Sequence, residues 1–140
     1  MPIPPAPTLV ESKAGKRDAV HNQQCSASLD LLDQTSNTSP LASDCLVIAS
    51  NIKNGGEWKF ESGSHHQLVQ FGTCAFGVET PGTPWGHELR IGNKDIIDAI
   101  SESVTQFATG GKLNSLGYMY CYARALALPN RVKWGIYHNH

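Results

Sequence analysis

The most reactive side chains in this 140-residue sequence are four cysteines and six histidines. Cys25, Cys45, Cys74 and Cys121 stand 20, 29 and 47 positions apart. None makes a Cys-x-x-Cys pair, the spacing that sets two thiolates on one turn in zinc knuckles and thioredoxin-like redox motifs, so both chemistries are disfavoured. Two disulfides or four separate buried thiols are left. An even number spread through a small domain favours disulfides in an oxidising compartment. A Cys/His nucleophilic site needs a free thiolate beside a base, which that reading does not leave. Among the histidines, His65 and His66 are adjacent and would point to opposite faces of an extended strand. His138-Asn139-His140 reads as a solvated chain end. No metal site and no cofactor is expected.

Carboxylate pairs for glycosidase-type acid/base work could be drawn from Glu57, Glu61, Glu79 and Glu88, but these are the polar positions of alternating strands and read as solvated faces. Asn54-Gly55-Gly56 and Thr109-Gly110-Gly111 follow helices, whereas a phosphate cradle must precede one so that the first amides face the anion. They are read as stops. Tyr118, Tyr120 and Tyr122 alternate along one strand and form an aromatic face, which could stack sugars or bases or be covered by a second layer. The Pro/Gly loop Thr80 to Gly86 carries Trp85. Asn37-Thr38-Ser39 is a glycosylation sequon in a polar turn. By chemistry alone no enzyme is indicated.

These residues have to be positioned by a chain that is 40% apolar, with 11 basic and 12 acidic residues and a net charge of −1. That length gives one domain with a real core. Without a basic stripe there is little to hold a nucleic-acid backbone or an acidic membrane surface, and no apolar run approaches the roughly 20 residues that span a bilayer. Residues 1 to about 24 hold four prolines and no periodic pattern, and read as a disordered or cleavable leader. Met1 to Pro7 lacks the basic and apolar regions of a secretory signal, so no signal peptide is read there. Lys16-Arg17 followed by Asp18 is a dibasic context for kexin-type cleavage. Cutting there would divide the chain into a leader, 1–17, and a domain, 18–140, and would shift the net charge to −3.

The pattern predicts a helix beginning at Ser39-Pro40, with a stripe of Leu41, Cys45, Ile48 and Ile52. Strands follow at Glu57–Glu61, as one long strand at Gln67–Glu79 and at His87–Ile91. A second helix opens at Asn93, with Ile96, Ile97, Ile100, Val104 and Phe107 on one face. Strands at Leu116–Ala123 and around Val132, Trp134 and Ile136 complete the order. Two amphipathic helices need a sheet to cover, so the fold class is α+β, a two-layer sandwich with a largely antiparallel sheet and both helices on one face.

Gln34-Thr35-Ser36, Ser39-Pro40 and Asp44-Cys45 are followed in order by the Gln67–Val78 stretch, QLVQFGTCAFGV, by Gly92-Asn93-Lys94-Asp95-Ile96-Ile97, and by Val132-Lys133-Trp134-Gly135-Ile136-Tyr137. This series, from about Cys25 to His138 and with all four cysteines, resembles the fungal necrosis-inducing factor family, homologues of a secreted extracellular effector. The resemblance implies a secreted, cysteine-stabilised virulence or toxin-like protein with a killer-toxin-like fold, and supplies no catalytic residues. It also strengthens Lys16-Arg17 as a propeptide boundary and turns the cysteines into a two-disulfide framework. From the faces, Cys45 pairs with Cys74 and Cys25 with Cys121, closing loops of about 30 and 97 residues worth roughly 3.5 and 4.5 kcal/mol in the chain-entropy account. Cys45–Cys121 is the alternative, since Cys121 faces the core side with Met119. The expected function is non-enzymatic binding of an extracellular target on a host or competitor cell by a monomer, through Trp85 and the Tyr118/Tyr120/Tyr122 face. The other reading is a carbohydrate-binding module acting on cell-wall glycan.

Overall fold

The computed structural model describes residues 8–10, 23–81, 88–122 and 129–140. In chain order the elements are β1 (Thr8–Val10), β2 (Leu29–Asp33), α1 (Ala42–Asn51), β3 (Glu57–Glu61), β4 (His65–Phe71), β5 (Cys74–Glu79), β6 (Glu88–Gly92), α2 (Asn93–Phe107), β7 (Ser115–Tyr122) and β8 (Pro129–His138). The strands form two antiparallel sheets, one ordered β1-β3-β6 and one ordered β2-β7-β8-β5-β4. The α+β class is as expected, but the expected single sheet is divided. Cys45 and Ile48 of α1, Ile96 and Ile100 of α2, Phe60, Leu89 and Ile91 of the smaller sheet and Phe76, Met119, Val132, Trp134 and Ile136 of the larger one share one core.

The stretch expected as one long strand is a hairpin. Phe71 pairs with Cys74 across a two-residue turn, and Gly72 in that turn has φ +53°. Only glycine enters that region without steric cost. A Cβ there would also lie 2.5 Å from the Asp44 carboxylate, which accepts hydrogen bonds from the Thr73 amide (2.8 Å) and hydroxyl (2.7 Å). These bonds hold the Asp44 pKa below the usual carboxylate range. The Thr73 oxygen in turn accepts from the Leu41 amide at 2.8 Å, and the Ala42 amide reaches Gly111 O at 2.8 Å. The first turn of α1 is therefore capped from distant parts of the chain. Ser39, the expected cap, instead accepts from the Ser36 amide and closes its own turn, so the helix starts at Ala42 and Leu41 stays exposed. One turn inside, Cys45 is bonded to Cys74.

The second disulfide, Cys25–Cys121, joins the entry of the chain to β7. Beside it Asp95, buried at the start of α2, accepts from the amides of Gln24 (2.8 Å), Cys25 (3.1 Å) and Gly92 (2.9 Å). Burial pushes its pKa up to about 6, against those three donors. The cysteine pairing left open by the faces is thus Cys45–Cys74 with Cys25–Cys121.

The alternating charges of β3 are not simply a wet face. Glu57 is fully buried and ion-paired with Arg90 of β6, while Glu61 is exposed. Within the segment read as a leader, Thr8–Val10 pair with β3; Lys16 and Arg17 lie outside the described residues. In the larger sheet Trp134 stacks on Phe76 with centroids 5.9 Å apart, and its indole occupies the place of a Cβ on Gly117, 2.6 Å away.

The clasp between α1 and the hairpin turn is testable at Gly72. Gly72→Ala should cost about 1–2 kcal/mol from the backbone alone, with a further loss from displacing Asp44. Denaturant unfolding with both disulfides intact measures it, and a change near zero would mean that the turn and Asp44 relax freely.

Candidate functional site

Antiparallel register places directly opposed residues on the same face of a sheet. In the five-stranded sheet, Cys74, Phe76 and Val78 of β5 face the helices together with His138, Ile136 and Trp134 of β8. The intervening positions form the opposite face, over which no described element lies. Across it run two aligned rows. One is His65, Glu79, Lys133, Tyr118 and Leu29; the next is Gln67, Gly77, Gly135, Leu116 and Leu32. Tyr120 stands one step further along β7, opposite Arg131.

The expected tyrosine face is therefore on the open side. Tyr118 is half-buried beneath the Arg131 guanidinium, which sits 4.0 Å from its ring centroid in a cation–π contact and also pairs with Asp30 at 3.2 Å. Tyr120 is 38% exposed. The side chain of Tyr122 and all of Trp85 lie outside the described residues. Asn37 is exposed in its turn. The structure thus brings Tyr118 and Tyr120 together and sets Asn37 at another groove, with Thr73, Lys112 and His140.

Next to the tyrosines lies a cluster that sequence reasoning missed. His65 Nε2 is 2.7 Å from the Tyr137 hydroxyl, and that hydroxyl donates to Gln67 Oε1 at 3.2 Å. Gln67 donates in turn to Asn139 Oδ1 at 3.1 Å. The Tyr137 hydroxyl and the edge of the His65 ring, tilted 58° to one another, lie over Gly77, where a Cβ would be 2.5 Å from the hydroxyl. Burial pushes the Tyr137 pKa up to about 12 and that of His65 below its ordinary value, with the nearby Glu79 opposing the latter shift. Lys133 and Glu79 form an ion pair at 3.6 Å beside them. The signal that could have pointed here is the coincidence of Gly77 and Gly135 in central strands, which sequence alone cannot align.

Chemically, this face offers aromatic surface, amides and a neutralised charge pair, and it suits binding. Among the described residues no three His, Cys, Asp or Glu side chains are grouped to hold a metal, and no helix is long and apolar enough to cross a membrane.

Residues 24–121 match a family of pathogen effectors named necrosis-inducing factors, Hce2. The chain belongs to the necrosis-inducing factor family. The match begins one residue before Cys25 and ends at Cys121, so one disulfide ties the two ends of the matched region. Its members are secreted, non-catalytic effectors, and this chain is a fungal effector-type domain of that kind. Similar curated proteins include two from Penicillium expansum. "Probable chitinase LysM18" is 31% identical over 106 residues, 75% of this chain, and "Secreted chitinase LysM12" is 32% identical over 108 residues, 76% of this chain. The match spans only 7% of the length of each.

The site has a pH signature. Folding disfavours charged His65, so its folded pKa lies below the unfolded one. The stability it contributes is complete above pH about 6.5 and declines as pH falls through that value and the unfolded chain takes up the proton. In an NMR titration the His65 ring should therefore show a midpoint below that of a free imidazole. Tyr137→Phe tests the local packing; a wild-type midpoint at or above the free value would contradict the burial of this pair.

Proposed function

We propose that the domain acts by docking the open face of its five-stranded sheet on an extracellular target of a host or competitor cell, where it induces necrosis or inhibits growth without chemistry of its own. The observation that carries this reading is the division of labour between the sheet's faces. Both disulfides, both helices and the core side chains Phe76, Trp134 and Ile136 engage the inner side, while Tyr118, Tyr120, Arg131, Lys133 and Tyr137 stand on a face with no described cover. Aromatic and arginine side chains on a rigid surface are the types that dominate binding hot spots. The expected Trp85 loop stays part of this proposal, as does removal of a leader at Lys16-Arg17 and glycosylation at Asn37.

A second reading is a module that binds cell-wall glycan. It is favoured by the exposed aromatics together with the similarity to short parts of two proteins named as chitinases. Flat sheet faces carrying tyrosine and side-chain amides suit sugar rings, which present apolar and hydroxyl surfaces together.

Infiltration of the oxidised protein into leaf tissue, alongside growth assays on competitor fungi, separates the readings when paired with chitin and glucan pull-downs. Tissue death or growth arrest without glycan retention is the result expected of the first, and retention at low protein concentration that of the second. Tyr120→Ala with Arg131→Ala should lower the response at least tenfold while leaving the melting temperature within a few degrees, because both side chains are on the open face. A fully active double variant would remove this face from the mechanism.

A further inference from the structure

The two glycines that meet at the centre of the open face leave a groove there. Gly77 and Gly135 are directly paired on β5 and β8, and Leu116 of β7 lies opposite Gly135. Two adjacent side chains are thus missing from the middle of a five-stranded sheet. The place over Gly77 is taken by the Tyr137 hydroxyl and the His65 ring, so the gap that remains lies over Gly135, where neighbouring strands are about 4.8 Å away and same-face residues about 6.7 Å away along the strand. The groove around it holds about 290 Å³ and is bordered by His65, Tyr137, Lys133, Glu79, Gln34 and Asn114.

The two glycines have different reasons to be small. Gly77 is required by the fold of the site, since the Tyr137 hydroxyl and His65 ring occupy the space of its side chain. Gly135 is not. A Cβ there would sit 3.5 Å from Tyr137 Cδ1 and 3.9 Å from Ser115 O, which is ordinary contact, and its φ lies outside the left-handed region. A central strand normally gains from a β-branched or aromatic residue at such a position. The place above Gly135 therefore has room for a side chain, bordered by the Tyr137 ring.

We infer that this groove is a binding subsite for a single neutral pyranose ring of a glycan, seated on Gly135 against the Tyr137 ring. This rests on the glycan-binding reading above and gives it a location apart from Tyr118 and Tyr120. The wall chemistry selects the ligand class. Lys133 and Glu79 neutralise one another, and Tyr137 and His65 are both held toward their uncharged forms, so no net charge is offered to an anion or a cation. The groove lies over β8 between β5 and β7, whose backbone groups are committed to the ladder, so an added peptide strand finds no free edge there. What the groove offers is an aromatic wall, a backbone floor and both donors and acceptors from amides, phenol and ion pair. A sugar ring matches these with its apolar C–H face and its hydroxyls.

The test uses the full 140-residue chain with both disulfides formed, and chitohexaose and laminarihexaose as probes. In calorimetry one of the two should bind the wild type, with NMR shifts centred on the amides of Gly77, Leu116 and Gly135. Gly135→Ala should weaken binding several-fold and Gly135→Val at least tenfold, with melting temperatures at or above that of the wild type. If the wild type binds an oligosaccharide but the shifts map elsewhere, or Gly135→Ala and Gly135→Val bind as the wild type does, the subsite is wrong while the glycan reading stands. If the wild type binds neither probe at millimolar concentration, both fall. The shift map keeps the inference open to refutation even should Gly135→Val fold poorly.

Discussion

The structure depends on how α1 is fastened to the β4–β5 turn. Within one helical turn, Asp44 accepts two hydrogen bonds from Thr73 and Cys45 is bonded to Cys74. A ten-residue helix has little stability of its own in water, and this one has no side-chain cap. Its first-turn amides are satisfied by Thr73 and Gly111, which are 32 or more positions away in sequence. The helix therefore forms only as the hairpin arrives, and the disulfide makes that arrival permanent in an oxidising medium. Because Cys74 faces inward at the start of β5, the same bond sets the phase of the strand, and with it which residues of β5 and β8 point to the core and which to solvent.

Once that phase is set, the outer face has few structural obligations. The inner face is closed by Phe76, Trp134 and Ile136 against both helices, and the apolar area buried there supplies the main driving force. The second disulfide and the Asp95 contacts hold the entry of the chain at the edge of β7, again away from the open face's centre. A small domain that secures itself with two covalent links can leave a sheet face to polar and aromatic side chains and a few leucines without falling below the stability it needs. This is the physical basis for assigning the effector's contacts to that face.

How much of this could be read beforehand followed the range of the interactions. The stripe of Ile96 and Ile100 and the alternation of Val132, Trp134 and Ile136 are local patterns, and they placed α2 and β8. The face-based pairing of the cysteines also drew on local periodicity. The hairpin in Gln67–Glu79 was hidden because its turn is only Gly72-Thr73, without an Asn-Gly signal, and apolar residues continue on both sides. Edge strand β2, with exposed Leu29 and Leu32, had no buried face to betray it. Glu57 looked solvated because its partner Arg90 is 33 residues away. Of the candidate site, the alternating tyrosines were visible, but the His65–Tyr137 pair spans 72 positions and appears only when β4, β5 and β8 are in register.

Gly135 shows where folding stops explaining the sequence. Glycine within a strand is destabilising by roughly 0.5–1 kcal/mol relative to alanine, and most strand glycines have a steric excuse. Gly117 has one in the Trp134 indole, and Gly77 has one in the Tyr137–His65 pair. Gly135 lies in the same sheet, in register with Gly77, with ordinary space above it and no left-handed backbone. A sequence shaped for stability alone would fill that space. Local rules that a protein breaks without a structural return are expected at functional positions, and the gap over Gly135 is such a break at the centre of a sheet face that no described element covers.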